Sequence, residues 1–220
     1  MNEQIRWITN VLNEASVENW IESGTLLSYI RDGELTEYDD DIDIGVWASD
    51  SKTIDGLRDE FQRKGYKIQT RSYRGKTHKY KFIPSSSSSR TIDLQLFRRT
   101  ETHAWIPLSV VNGSGNLPIF GHIFDLLEPL IRRYARATSG HVEIDEGMKS
   151  YPIDIITLYI PMKYLENLQY NEEFDLYTPQ YLEEYLCLRY GDWKTPVEKW
   201  ELVYDGGIRV CEPSELINDL

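Results

Sequence analysis

Asp39-Asp40-Asp41-Ile42-Asp43-Ile44 is the stretch whose reading decides the fold. Four carboxylates occupy five positions, and their mutual repulsion gives a fold no benefit unless a cation sits among them. The alternation from Asp41 to Ile44 predicts a strand, with Asp41 and Asp43 on one face and Ile42 and Ile44 in the core. Two carboxylates on a rigid strand suit a hard divalent cation, ordinarily Mg²⁺. Asp39 shares their parity at the mouth of the strand, and Asp40 is the most expendable of the run. An EF-hand is excluded: counted from Asp39, its obligatory glycine and glutamate positions hold Ile44 and Asp50. Upstream, Ser23-Gly24-Thr25 opens a short helix over 24–30, whose free N–H groups suit a phosphate.

Working outward, Ile5, Ile8, Val11 and Leu12 are spaced for an amphipathic helix over residues 3–16, and 18–22 reads as a short strand. After the Asp strand (41–47), Asp50 and Ser51 are set to cap a helix carrying Ile54, Leu57 and Phe61 and ending at Gly65. Strands are predicted over 66–73 and 77–83, joined at Arg74-Gly75, then over 91–98 and 105–111. Ser85–Ser89 is a low-complexity loop. A Gly/Ser/Asn-rich loop covers 112–116, a helix is predicted over 124–137, and Thr178-Pro179 opens another that Gly191 ends. Asp93, between Ile92 and Leu94, is a third strand carboxylate facing away from the core. Three such groups can hold two Mg²⁺ ions, which orient a phosphate and lower the pKa of an attacking hydroxyl.

The net charge of −12 argues against general nucleic-acid binding. Its distribution is uneven: between Lys64 and Arg99 stand ten Lys/Arg and one acid, Asp93, against 14 basic and 35 acidic residues elsewhere. That segment suits a local anion, and Lys79 and Lys81 alternate onto one strand face where they can meet a phosphate. No apolar run reaches transmembrane length and the N-terminus lacks a signal pattern, so a cytoplasmic protein, at most peripheral to a membrane, is expected. Cys187 and Cys211 form no metal cluster and suit a reduced compartment. The four histidines have no zinc spacing, and Gly113-Ser114-Gly115 lacks the Lys-Ser/Thr of a P-loop.

Gly24-Thr25, Asp41-Ile42-Asp43-Ile44 and Asp93 together resemble the nucleotidyltransferase, polymerase-beta-like superfamily. The longer strings Ser23 to Arg31 and Asp39 to Ile44 resemble the LicD/fukutin family more narrowly. So does a tail with Phe174 to Pro179, Tyr181 to Leu186 and Arg189-Tyr190-Gly191-Asp192-Trp193. Two sites depart from that pattern: Glu37-Tyr38 where Pro-Trp is usual, and Asp32 where His is usual.

The resemblance implies an α/β (α+β) fold, a mixed sheet flanked by helices. A nucleotidyltransferase-like core over 1–111 would carry a mainly helical C-terminal part over 112–220. It implies Mg²⁺-dependent transfer of a phospho-alcohol, of phosphocholine or pentitol phosphate type, from a CDP-linked donor to a hydroxyl of a glycan or lipid-linked glycan, releasing CMP. One or two ions would be held, with Mn²⁺ able to substitute. Asp41, Asp43 and Asp93 would be the catalytic metal ligands, Asp93 also serving as base, with Asp39 a further contact. Ser23, Gly24 and Thr25 would cradle the donor phosphate, with Arg31, Lys79 and Lys81 neutralising it. Two other readings use the same residues differently: nucleotidyl transfer from an NTP to a small molecule or protein with pyrophosphate release, and a non-enzymatic, antitoxin-like binding module.

Overall fold

The computed structural model describes residues 2–36, 39–73, 76–110, 141–144, 151–152, 154–196 and 210–211. The expected turn at Arg74-Gly75, the loop over 112–116, the helix over 124–137, the boundary between 111 and 112 and the Glu37-Tyr38 departure lie outside these residues.

Helix α1 (Glu3–Glu14) starts where the Asn2 side chain accepts a hydrogen bond from the Gln4 N–H, and it buries Ile5, Ile8, Val11 and Leu12. Strand β1 (Asn19–Ile21) leads directly into helix α2 (Ser23–Asp32). Gly33, in the left-handed region at φ 79°, ends α2 with its N–H on the Tyr29 carbonyl. Strand β2 (Asp41–Trp47) follows. The single helix expected after it is two short ones, α3 (Ser51–Gly56) and α4 (Arg58–Arg63), broken at Leu57. Asp50 makes no side-chain capping bond there, because a 3₁₀ turn (Ala48–Asp50) already leads the chain into α3.

The hairpin β3 (Tyr66–Tyr73) and β4 (Lys76–Pro84), then β5 (Thr91–Arg99) and β6 (His103–Val110), complete the N-terminal sheet. Further on come β7 (His141–Ile144), β8 (Tyr151–Pro152), β9 (Asp154–Pro161), the small hairpin β10 (Gln169–Asn171) and β11 (Leu176–Thr178), helix α5 (Leu182–Tyr190), and β12 (Val210–Cys211). The described residues of the C-terminal part thus hold one α-helix beside several strands, and β9 extends the sheet by pairing along the whole of β6. The helix expected to open at Thr178-Pro179 begins instead at Leu182: Thr178 ends β11, and Tyr181 stands before α5 at φ 53° and is exposed.

The sheet is mixed. Strands β2 and β5 run parallel from Asp41↔Thr91 to Trp47↔Phe97, while β1 on β2 and β4 on β5 are antiparallel. Residues that pair directly share a face, so Asp43, Asp93 and Lys81 point one way, and Gly45, Gln95 and Lys79 point with them. The other face carries Ile42, Ile44, Ile92, Leu94 and Phe82. Phe61 of α4 stacks on Phe82 with ring centroids 4.0 Å apart, and Trp7 of α1 packs edge-on to Phe61, so α1 and α4 cover this face. His78, also on this parity, is buried and held neutral, its pKa pushed down to about 3 by burial and by Lys79, Arg71 and Arg98. Alternation in β2 stops after Ile44 because Trp20 lies over Gly45, while Trp47 and Phe97 pack against Trp20. Among the described residues no helix is long and apolar enough to cross a membrane.

Candidate functional site

The parallel register Asp43↔Asp93 joins residues fifty positions apart on the open face of the sheet. One carboxylate oxygen from each of Asp41, Asp43 and Asp93 lies within 4.8 Å of the others. Asp93 is buried; Asp41 and Asp43 are partly open to solvent. Packing three carboxylates this way disfavours ionisation. Burial, with the charges of Asp41 and Asp93, pushes the Asp43 carboxyl up to about 7 against the pull of Lys79 and of Gln95. Asp41 is raised by burial and by Asp93.

Two side chains hold Asp43 in place. The Gln95 amide donates from Nε2 to Asp43 Oδ1 at 2.7 Å, and the Asp43 N–H donates to Thr25 Oγ1 at 2.8 Å. Gln95 also reaches Ser23 Oγ at 3.3 Å. On Asp93, Lys79 Nζ donates to Oδ2 at 2.6 Å and Lys81 Nζ stands 3.6 Å from Oδ1. Asp93 Oδ1 is buried and takes no hydrogen bond. Three converging carboxylates, one with a buried oxygen that takes no hydrogen bond, fit a hard divalent cation, which would supply the lone-pair contact that burial removed.

The other anticipated residues have different surroundings. Asp39 is outside the three-carboxylate group: its Oδ2 accepts from Ser28 Oγ at 2.5 Å and from Thr36 Oγ1 at 2.9 Å, which ties the approach to β2 against α2. Arg31 forms a bidentate pair with Asp32, closest at 2.8 Å, at the far end of α2 from Gly24. Thr25 is buried, with its hydroxyl oxygen occupied by Asp43. Ser23 sits at φ 51° at the first position of α2, and its Oγ also accepts from Arg189 Nη2 at 3.1 Å. Gly24 follows it, with Asp39 Oδ1 as the neighbour of its open side. Two aromatic side chains of α2 and β2 are engaged in the fold: Tyr29 packs on Phe174 and takes the Asn2 N–H, and Trp47 donates to Glu18.

Sequence reasoning missed a buried network behind Ser23. Glu22 is fully buried and receives hydrogen bonds from Trp20 Nε1 at 2.9 Å and Tyr185 OH at 2.7 Å, with Arg189 Nη1 at 2.8 Å. The Glu22 N–H also bonds the Asp43 carbonyl. Gln95 was signalled by parity, two residues beyond Asp93 on one strand face; Glu22 and Arg189 meet only through the tertiary fold.

This carboxylate-bearing mixed sheet, with a helix N-terminus beside it, defines a nucleotidyltransferase-type domain. The family model for the LicD/FKTN/FKRP nucleotidyltransferase domain matches residues 16–112, so this segment is similar to that domain. An uncharacterized protein of Rickettsia typhi is 36% identical over 59 residues, which are 27% of this chain and 19% of that protein. One of Rickettsia prowazekii is 34% identical over 58 residues, 26% of this chain and 22% of its own length. Ribitol 5-phosphate transferase FKRP of Homo sapiens is 34% identical over 58 residues, 26% of this chain and 12% of its own length. The alignments therefore span between 12% and 22% of these relatives.

Proposed function

We propose that the protein transfers a phospho-alcohol from a CDP-linked donor to a glycan hydroxyl with Mg²⁺, releasing CMP. The observation that carries this reading is the convergence of one carboxylate oxygen from each of Asp41, Asp43 and Asp93 to within 4.8 Å of one another. The family, and the phosphate cargo in the name of its FKRP relative, supply the substrate class. A glycan acceptor comes from the same resemblance.

In this reading Asp41, Asp43 and Asp93 hold the divalent cation, with Mn²⁺ able to replace Mg²⁺. The cation supplies charge neutralisation on the donor diphosphate and acidifies the attacking hydroxyl. Gln95 and Thr25 fix the Asp43 side chain and backbone, so the ligand set is preorganised. The first N–H groups of α2, at Ser23, Gly24 and Thr25, have no partner within the helix and would receive the donor phosphate. Lys79 and Lys81 supply positive charge beside it. The acceptor oxygen bonds to the distal phosphorus, the bond from that phosphorus to the oxygen of CMP breaks, and CMP leaves with the electron pair. The hydroxyl proton passes to Asp93.

The test is product analysis with CDP-ribitol, CDP-choline, CDP-glycerol, CTP and ATP in Mg²⁺, alongside thermal shifts for each nucleotide. A nucleotide bound by the folded chain raises its melting temperature. CMP formation from one CDP-alcohol is the expected result. Pyrophosphate from CTP or ATP would establish nucleotidyl transfer instead. Full biological activity in an Asp41→Asn/Asp43→Asn variant would leave only a binding module.

A further inference from the structure

Asp93 lies at the centre of a charge balance that a divalent cation must disturb. Both its oxygens face ammonium groups, Lys79 on Oδ2 and Lys81 toward Oδ1. The Asp93 side chain is 3% exposed, so this balance is only weakly screened by water. Three carboxylates therefore share two lysines. A cation that takes an oxygen from each carboxylate brings two positive charges into the space the ammonium groups already neutralise. Lys79 is a point charge on a flexible four-carbon stem, and its bond to Asp93 is the closer of the two. Its direct cross-strand partner is Gln95. The Gln95 Nε2 is committed to Asp43 and Ser23, while its Oε1 is buried and accepts no hydrogen bond. A buried acceptor without a donor is costly, and the cross-strand neighbour on the same face, Lys79, carries spare donors.

We propose that Lys79 is the resident counter-ion of Asp93 and exchanges with the divalent cation, moving to Gln95 Oε1 and to the phosphate of the incoming ligand. The exchange rests on the metal reading above and adds what that reading lacks, a coupling between the two ligands. The cation alone competes with an internal ammonium group and binds weakly. Once it binds, a lysine is released beside the donor site, so cation and phosphate-bearing ligand strengthen each other's binding by the same factor.

Free Mn²⁺, followed by electron paramagnetic resonance during titration of wild-type protein and of Lys79→Met, tests this. The variant lacks the competitor and is expected to bind Mn²⁺ alone at least about tenfold more tightly. A second measurement needs no variant: acetylation of Lys79 by acetic anhydride, read by mass spectrometry, rises several-fold when Mn²⁺ is added to the wild-type chain. Equal or weaker Mn²⁺ binding by Lys79→Met overturns the exchange. So does unchanged Lys79 acetylation at an Mn²⁺ concentration that saturates the site. If neither protein binds Mn²⁺, the metal site itself falls and takes the exchange with it; if both bind alike, only the exchange falls.

Discussion

Arg189 Nη1 lies 2.8 Å from Glu22 Oε1, and both side chains are shut off from solvent. The pair fastens α5 to the residue that precedes α2, so the C-terminal helix holds the end of the chain segment that faces the carboxylates. Breaking a buried pair leaves an uncompensated charge, which typically costs about 3–5 kcal/mol. Arg189→Met and Glu22→Gln should each lower unfolding stability by about 3 kcal/mol, read from urea denaturation. The Tyr185 and Trp20 bonds to Glu22 remain possible in Glu22→Gln, so Arg189→Met should be the worse of the two. A loss near zero in both would mean the pair is not buried in solution.

Gln95 holds Asp43 by a hydrogen bond to its charged form. Gln95→Leu removes the bond and leaves Asp43 Oδ1 without that donor. The Asp43 pKa should rise further, seen in a carboxyl-carbon NMR titration, and stability should fall by about 1–2 kcal/mol. Gln95→Glu should raise it more, because a fourth carboxylate then faces the other three. A Gln95→Leu variant with an unchanged Asp43 titration would remove Gln95 from the site.

What the sequence made legible here is local. The Asp41–Trp47 strand has the bounds read from the sequence, and Gly33 and Gly191 end helices as C-terminal glycines do. The parity rule also places Lys79 and Lys81 on the face of Asp93. What it hid is register and long-range pairing. Nothing near Asp93 states that it will lie directly opposite Asp43, and nothing near Glu22 points to Arg189. The sequence reading sets Arg31 on the donor phosphate, and only the fold shows it paired with Asp32. Asp39 shares the parity of Asp41, yet it precedes the strand and is free to turn toward Ser28 and Thr36. Leu57 fits an apolar helical face, but the backbone there breaks the helix in two.

Asp43 also sets a pH dependence. Its carboxyl titrates near about 7 in the folded chain, against a usual value of 3.8, because burial and its neighbours disfavour the charge. The folded state therefore binds this proton more tightly than the unfolded state. The stability contributed is complete below about pH 4 and is lost as the pH rises through 7, a change on the order of a few kcal/mol. In chelator the urea midpoint should fall between pH 5 and 8. Mg²⁺ should flatten that fall, since a cation bound to Asp43 favours its charged form. A midpoint that rises over this range in chelator would contradict the crowded, partly desolvated placement of Asp43.

Gly45 lies beside Asp43's strand neighbour Ile44 and directly opposite Trp20. A Cβ built at Gly45 would sit 2.2 Å from Trp20 Cε2, far inside van der Waals contact. Trp20 cannot swing away cheaply: it is buried, packed against Trp47 and Phe97, and bonded through Nε1 to Glu22. Gly45→Ala must therefore push β1 off β2 or displace the indole, and overpacking of this kind costs about 1–3 kcal/mol or more. Because β1 runs straight into Glu22 and Ser23, the damage should reach the site. The variant is expected to lose stability in urea and also to bind Mn²⁺ less tightly while still folded. Normal Mn²⁺ affinity in a destabilised Gly45→Ala chain would show that the carboxylates are positioned independently of β1. An unchanged urea midpoint would show that the indole is not fixed over Gly45.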